Sequence, residues 1–214
     1  LVEFYRLSFR PSLRLLPLLG IAGGILFSVE AAMDSSFLLP LTAGVVLAPL
    51  FALVFLPPKK RDPAEWAGTL AGAFLIGWTL RHAVLLRGQE DGREWLLTVV
   101  ILTFAIDTGA YALGRTLGRH KLAPTISPGK TWEGAVGAMV VGVAAAIALT
   151  KGFDLDIRVW QTIVLGLLVS FFTQVGDLAE SMLKRVAGAK DAGALIPGHG
   201  GILDRLDSLI PAIV

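Results

Sequence analysis

The sequence predicts an all-α, polytopic transmembrane helical bundle of six or seven spans, with its working site at the cytoplasmic face. Three observations carry that prediction. Of 214 residues, 54% are apolar and only 17% charged, with a mean hydropathy of +0.70, whereas a soluble domain carries about a quarter charged residues. The apolar residues come in blocks near the ~20 residues that cross a bilayer, not in alternating stripes. Basic residues gather in every second connection between those blocks.

Taken in order, the blocks predict helices over 13–29, 37–56, 66–86, 95–113, 133–150 and 159–178, with a seventh beginning near Ile202 and cut off at Val214. A cleaved leader is the rival reading of the first block, because Arg14 precedes it and Glu30-Ala31-Ala32 follows it. One integral membrane domain is expected over 1–214, with N-terminal spans in 1–94 and the chemistry-bearing spans and loops in 95–214. The chain begins without Met and ends inside an apolar run, and we expect it to be a piece of a longer protein.

The N-terminal arm holds Arg6, Arg10 and Arg14, the second connection Lys59, Lys60 and Arg61, the fourth Arg115, Arg119, Lys121 and Lys130, and the C-terminal segment Lys184, Arg185, Lys190 and Arg205. The alternate connections hold only Arg81, Arg87, Arg93, Lys151 and Arg158. The positive-inside rule makes the first set, and the N-terminus, cytoplasmic. Small residues recur four apart at Gly20/Gly24, Gly68/Gly72 and Gly134/Ala138/Gly142/Ala146. Such rows let helices approach closely, within one chain more readily than across a dimer seam. With no cysteine, disulfides, thiolate metal sites and a Cys nucleophile are excluded.

Four polar groups fall on the predicted cytoplasmic side. The first is Asp107, within "DTGAY": a carboxylate at membrane depth is either functional or paired with a neighbouring helix. The second is "TISPGKTWEG", residues 125–134, which ends like a Walker loop at Gly129-Lys130-Thr131. Pro124 stands where that loop needs its first glycine, and an apolar span precedes it instead of a strand, so the Walker reading fails. Ser127, Gly129, Lys130 and Thr131 still suit an anion, and Glu133 opens a helix whose N-terminus favours negative charge. The third is "GDLAESMLKR", where a helix puts Asp177, Ser181 and Lys184 on one face and lets Glu180 pair with Lys184. The fourth is "KDAGALIPGHGGILDRLDS", where Gly193, Gly198, Gly200 and Gly201 allow close backbone approach and Asp204 and Asp207 lie one helical turn apart, suited to Mg²⁺ bridging phosphates. His199 is the only histidine of these groups; His82 and His120 are read as lying in loops elsewhere, so a zinc site is not expected.

Carboxylates, lysines and glycine-rich anion loops at one membrane face are what phosphoryl or nucleotidyl transfer to a lipid needs. The residues carry a resemblance. "SMLKRVAGAKDAGALIPGHGGILDRLDS" resembles the signature of the phosphatidate cytidylyltransferase (CDP-diacylglycerol synthase) family, matching at Ser181, Lys184-Arg185, Lys190-Asp191, Pro197, His199-Gly200-Gly201, Asp204-Arg205 and Asp207. "DTGAYALGRTLGRHKLAPTISPGKTWEG" looks like the family's preceding stretch, so the resemblance covers 107–208; before Trp95 only the apolar spans are similar.

The resemblance implies CTP and phosphatidate as substrates, CDP-diacylglycerol and diphosphate as products, and Mg²⁺ as cofactor, a second cation being left open. It implies metal ligation by Asp177 and Asp204 with Asp207 or Asp107 assisting. Ser127, Gly129, Lys130 and Thr131 would contact CTP phosphates, with Asp107 and Ser181 beside them. Lys184, Arg185 and Lys190 would neutralise phosphatidate or diphosphate and act with Asp204 as the catalytic set; His199, Gly200 and Gly201 would shape the phosphate loop. Expected partners are the two substrates and a bilayer, of bacterial inner-membrane type, with no nucleic acid and a homodimer left open. A CTP-dependent polyprenol kinase or ether-lipid cytidylyltransferase is the nearest alternative, and an ion or solute transporter a remote one.

Overall fold

The computed structural model describes residues 1–8, 15–33, 36–58, 61–193 and 200–214. His199, Pro197, Gly198, Arg10, Arg14, Lys59 and Lys60 lie outside the described residues. The chain is all-α and polytopic. Among the described residues, five helices are long and apolar enough to cross a membrane, and the 17-residue Leu38–Val54 is a shorter apolar one. The described residues divide into two compact units.

The first unit comprises Leu1–Leu85 and Ala189–Leu203. It contains α1 (Val2–Ser8), α2 (Leu15–Ala32), α3 (Leu38–Val54) and a rod made of α4 (Pro63–Gly72), a π-helical segment (Ala73–Trp78) and α5 (Thr79–Arg87) as far as Leu85. Asp62 starts the rod: its side chain accepts from Ala64 N, with Pro63 at the first helical position, where a missing N–H costs nothing. Phe27 packs on Val45 and Ala73 and meets the rings of Phe74 and Trp78. The glycine rows are spent inside this unit. Tyr5 donates to Thr69 O at 2.8 Å and fills the space over Gly20 and Gly72, while a Cβ on Gly77 would lie 2.3 Å from Gly24 Cα. Arg81 pairs with Glu30 at 2.8 Å and lies over the Trp78 ring. His82 is in α5, its Nδ1 2.8 Å from Trp78 O; it is not in a loop, because the apolar pattern that defines the rod continues past it. Glu3 accepts the backbone N–H groups of Ile202 and Leu203 at 3.1 and 2.7 Å.

The second unit comprises Leu86–Gly188 and Asp204–Val214. Its frame is α6 (Gly92–Leu117), α7 (Trp132–Gly152) and α8 (Val159–Val186), around a core of Val99, Leu102, Ile106, Ala138, Ala146, Val169 and Ala212. The row Gly134/Ala138/Gly142/Ala146 is the buried edge of α7. A Cβ on Gly134 would lie 3.0 Å from Gly114 Cα on α6, and one on Gly142 would lie 2.0 Å from Ser170 Oγ on α8. This row is therefore consumed within the chain, as small-residue packing between membrane helices requires.

Two further segments differ from the sequence reading. The α6–α7 connection, read as a loop, folds into an antiparallel hairpin of β1 (Lys121–Ala123) and β2 (Ser127–Thr131), with Lys121 opposite Thr131 and Ala123 opposite Ser127. The predicted seventh span, beginning near Ile202, is instead two short helices, α9 (Leu203–Leu206) and α10 (Leu209–Ala212). Between them Ser208 N donates to Asp207 Oδ1 at 2.7 Å, a local side-chain bond that competes with the helical ladder.

Candidate active site

Three elements of the second unit bring the predicted residues together. On α6, Asp107, Tyr111 and Arg115 recur every four residues and share a face. Helix α8 runs on to Val186, eight residues beyond the predicted span end, so it carries Gln174, Asp177, Glu180, Ser181 and Lys184 on one rigid element. The hairpin supplies Ser127, Gly129, Lys130 and Thr131, and α9 with the turn after it supplies Asp204, Asp207 and Ser208. A cavity of about 730 Å³ is lined by Asp107, Asp177, Asp204 and Asp207 together with Arg115, Lys121 and Lys130.

The hairpin is anchored at three points. Thr131, 6% exposed, is the N-cap of α7, its hydroxyl accepting from Gly134 N at 3.2 Å. Glu133, in the first turn, turns its carboxylate back to Arg119 N (3.0 Å), His120 N (3.2 Å) and His120 Nδ1 (2.6 Å). Arg185 Nε donates to Ile126 O at 3.3 Å, tying the tip of the hairpin to α8. The Glu133 charge therefore closes the hairpin and complements the positive end of α7.

The site's charges are largely paired. Lys130 Nζ meets Asp177 Oδ2 at 2.7 Å, and Ser181 Oγ lies 3.4 Å from the other oxygen of Asp177. Lys184 Nζ meets Asp204 Oδ1 at 2.8 Å and also Glu180 Oε2. Ser208 bridges the remaining acids, its hydroxyl 3.4 Å from Asp107 Oδ1 and its N–H on Asp207 Oδ1. Burial, with the Asp177 charge adding to it, pushes the Asp207 carboxyl up to about 6.

Ser127, Gly129, Lys130, Thr131, Asp107, Asp177, Asp204 and Asp207 all border the cavity, while Ser181, Lys184 and Arg185 do not line it. Lys190, Gly200 and Gly201 belong to the first unit. There a Cβ on Gly201 would come within 2.6 Å of Glu3 Oε2, and Gly200 takes a φ of 82° that favours glycine. The sequence reading missed Gln174, Tyr111, Arg115 and Ser208 as cavity residues. Helical spacing from Asp107 could have found Tyr111 and Arg115. Gln174, half-buried on α8 and bonded to Ser170 O at 3.0 Å, gave no such signal.

The donor set fits Mg²⁺ in kind: carboxylate oxygens, with no sulfur and no histidine among the described cavity residues. Among the described residues, however, no three acidic or histidine side chains are already gathered as an ion-holding group. Asp177 and Asp204 are held by lysines instead.

Such a site, oxygen-donor acids and basic side chains around one cavity, sits in a chain of apolar helices long enough to cross a membrane. The chain belongs to the cytidylyltransferase family, whose model matches residues 7–214. It is 42% identical over 147 residues to a phosphatidate cytidylyltransferase of Mycobacterium bovis, covering 67% of this chain and 48% of that one. It is 45% identical over 146 residues to one of Brucella suis, covering 66% and 53%, and 42% identical over 122 residues to one of Staphylococcus haemolyticus, covering 57% and 47%. The chain spans about half the length of these curated relatives.

Proposed function

We propose that this chain transfers the cytidylyl group of CTP to phosphatidate, giving CDP-diacylglycerol and diphosphate. The observation that carries the reading is the convergence of Asp107, Lys130, Asp177, Asp204 and Asp207 on one cavity, from the segments that resemble the family signature.

A phosphate oxygen of the lipid attacks the α-phosphorus of CTP. A new P–O bond forms, the bond from the α-phosphorus to the α–β bridging oxygen breaks, and diphosphate leaves with the electron pair. The second pKa of a phosphomonoester is near ~6, so the nucleophile is already ionised and no activated Ser, Cys or His is needed. What remains is to gather and align two anions. Lys130 on the hairpin suits this task, and Lys121 and Arg115 line the same cavity. Gly129 beside it has open space where a Cβ would go, so a phosphate can approach the strand closely. Asp177, Asp204 and Asp207, with Asp107, would hold Mg²⁺, which when bound neutralises phosphate charge and aligns the leaving group. Tying Asp204 and Asp177 to lysines keeps these acids ordered before ligands arrive. By the distribution of basic connections, the site faces the cytoplasm of a bacterial-type inner membrane.

The test uses CTP labelled at the α-phosphate, with phosphatidate and Mg²⁺, in membranes carrying the chain. Cytidylyl transfer moves label into the lipid phase; a polyprenol kinase leaves it in water-soluble CDP. Absence of label from lipid would refute the reading. Asp204→Asn should abolish transfer while the protein still accumulates in membranes.

A further inference from the structure

Lys184 lies between two acids. Its ammonium meets Glu180 Oε2, one turn back on α8, and Asp204 Oδ1 at 2.8 Å on α9. The three side chains are withdrawn from solvent, Lys184 at 16%, Glu180 at 5% and Asp204 at 11% exposure. Only Asp204 borders the cavity; Glu180 and Lys184 do not line it. Glu180 is thus a buried acid with no surface toward a substrate. An ordinary surface pair four residues apart on a helix would be exposed and would have one partner only. This one is buried and shared with a second element.

We propose that Glu180 is a positioning residue that keeps Asp204 available to a divalent cation. One ammonium is shared between the two carboxyl groups, anchored to α8 by Glu180 and reaching Asp204 from that anchor. Lys184 thereby fixes where Asp204 points and leaves its second oxygen to the cavity. Without the Glu180 anchor, Lys184 would be free to close on Asp204 and compete with a cation for it. The separation of roles follows from the donors: an ammonium has three N–H groups and can serve both acids at once, one anchoring it to α8 and one directing Asp204. This inference rests on the cation-assisted reaction proposed above.

The experiment measures Mn²⁺, as a probe for Mg²⁺, by its electron paramagnetic resonance signal with the whole solubilised chain. Partners that orient a metal ligand typically change metal affinity about 10–100-fold when lost. Glu180→Gln should therefore raise the Mn²⁺ dissociation constant by about 10–100-fold, with the thermal unfolding midpoint near that of the wild type. Glu180→Asp, which keeps the charge on a shorter arm, should recover part of that affinity. Unchanged Mn²⁺ affinity in a folded Glu180→Gln protein would overturn the proposal. If Glu180→Gln does not fold, Glu180→Asp decides: weakened Mn²⁺ binding in the folded protein supports positioning, and wild-type binding leaves Glu180 a structural ion pair only. Label transfer from CTP is followed in parallel. A wild type that binds Mn²⁺ yet moves no label would sink the proposed reaction, and the role of Glu180 would still be decided by cation binding.

Discussion

Gly142 on α7 offers the sharpest test of how the second unit is packed. A methyl group there would lie 2.0 Å from Ser170 Oγ and 3.1 Å from both Gly166 O and Ile106 Cγ1. Ser170 is fully buried and donates to Gly166 O at 2.7 Å. To admit the methyl, Ser170 must rotate and give up that bond, costing about 1 kcal/mol. The backbone at Gly166 must also yield by a few tenths of an ångström, and overpacking of this kind costs about 1–3 kcal/mol. Alanine's better helix propensity offsets about 1 kcal/mol. The net loss for Gly142→Ala is about 1–3 kcal/mol, and for a chain of this size each kcal/mol lowers the unfolding midpoint by about 2–4 °C. The assay is a thermal scan of the detergent-solubilised protein. Ser170→Ala in the same background removes the clashing oxygen and should restore at least half the loss. An unchanged midpoint in Gly142→Ala, or a loss that Ser170→Ala does not relieve, would show that α7 and α8 do not meet through this contact.

Three further predictions follow from the site. Gly129→Ala meets no neighbouring atom, so it should leave the unfolding midpoint unchanged while raising KM for CTP about tenfold, the equivalent of ~1.4 kcal/mol; an unchanged KM would mean that no phosphate approaches β2 closely. Glu133→Gln weakens the clamp on Arg119 and His120, and hydrogen exchange across residues 119–131 should speed up while α7 stays protected; equal protection would refute the clamp. The Asp207 carboxyl, held up at about 6 against an ordinary 3.8, retains a proton that the unfolded chain releases between those values. Its contribution to stability is therefore fully present below about pH 4 and lost as pH rises through about 6. Cation binding runs the other way, because it needs the ionised acid. Mg²⁺ affinity measured by calorimetry should climb through about pH 6 and flatten above it, and Asp207→Asn should remove that pH-dependent part.

The apolar helices were readable because hydrophobic blocks of bilayer length have few other uses. Asp107, Asp177, Asp204 and Asp207 stood out because a charge beside such a block is costly unless it has a task or a partner, and the structure brings all four to one cavity. The hairpin was not readable: "KLA" and "SPGKT" are too short and too polar to show a period of two. The full length of α8 was hidden because "GDLAESMLKR" is amphipathic, and a search for apolar blocks stops at Leu178. The interruption at Asp207 and Ser208 has a mark in the residues, Pro211, which has no N–H to bond Asp207 O four residues back; the local bond of Ser208 N to Asp207 Oδ1 goes with it. Ser208, buried and touching both Asp107 and Asp207, was passed over because a lone serine after an acidic motif looks like an ordinary turn residue.

The π-helical segment Ala73–Trp78 makes chain length itself a constraint. A π turn carries one residue more than the α ladder would use, so the two halves of the rod are out of phase by about 100°, the rotation of one helical residue. Removing any single residue from this segment would let the ladder close as an ordinary α-helix. It would also swing Arg81 about a quarter turn away from Glu30 and shift the crossing of Gly77 over Gly24. At this place a deletion that leaves composition, hydropathy and helix content almost untouched would therefore part a half-buried arginine from its glutamate.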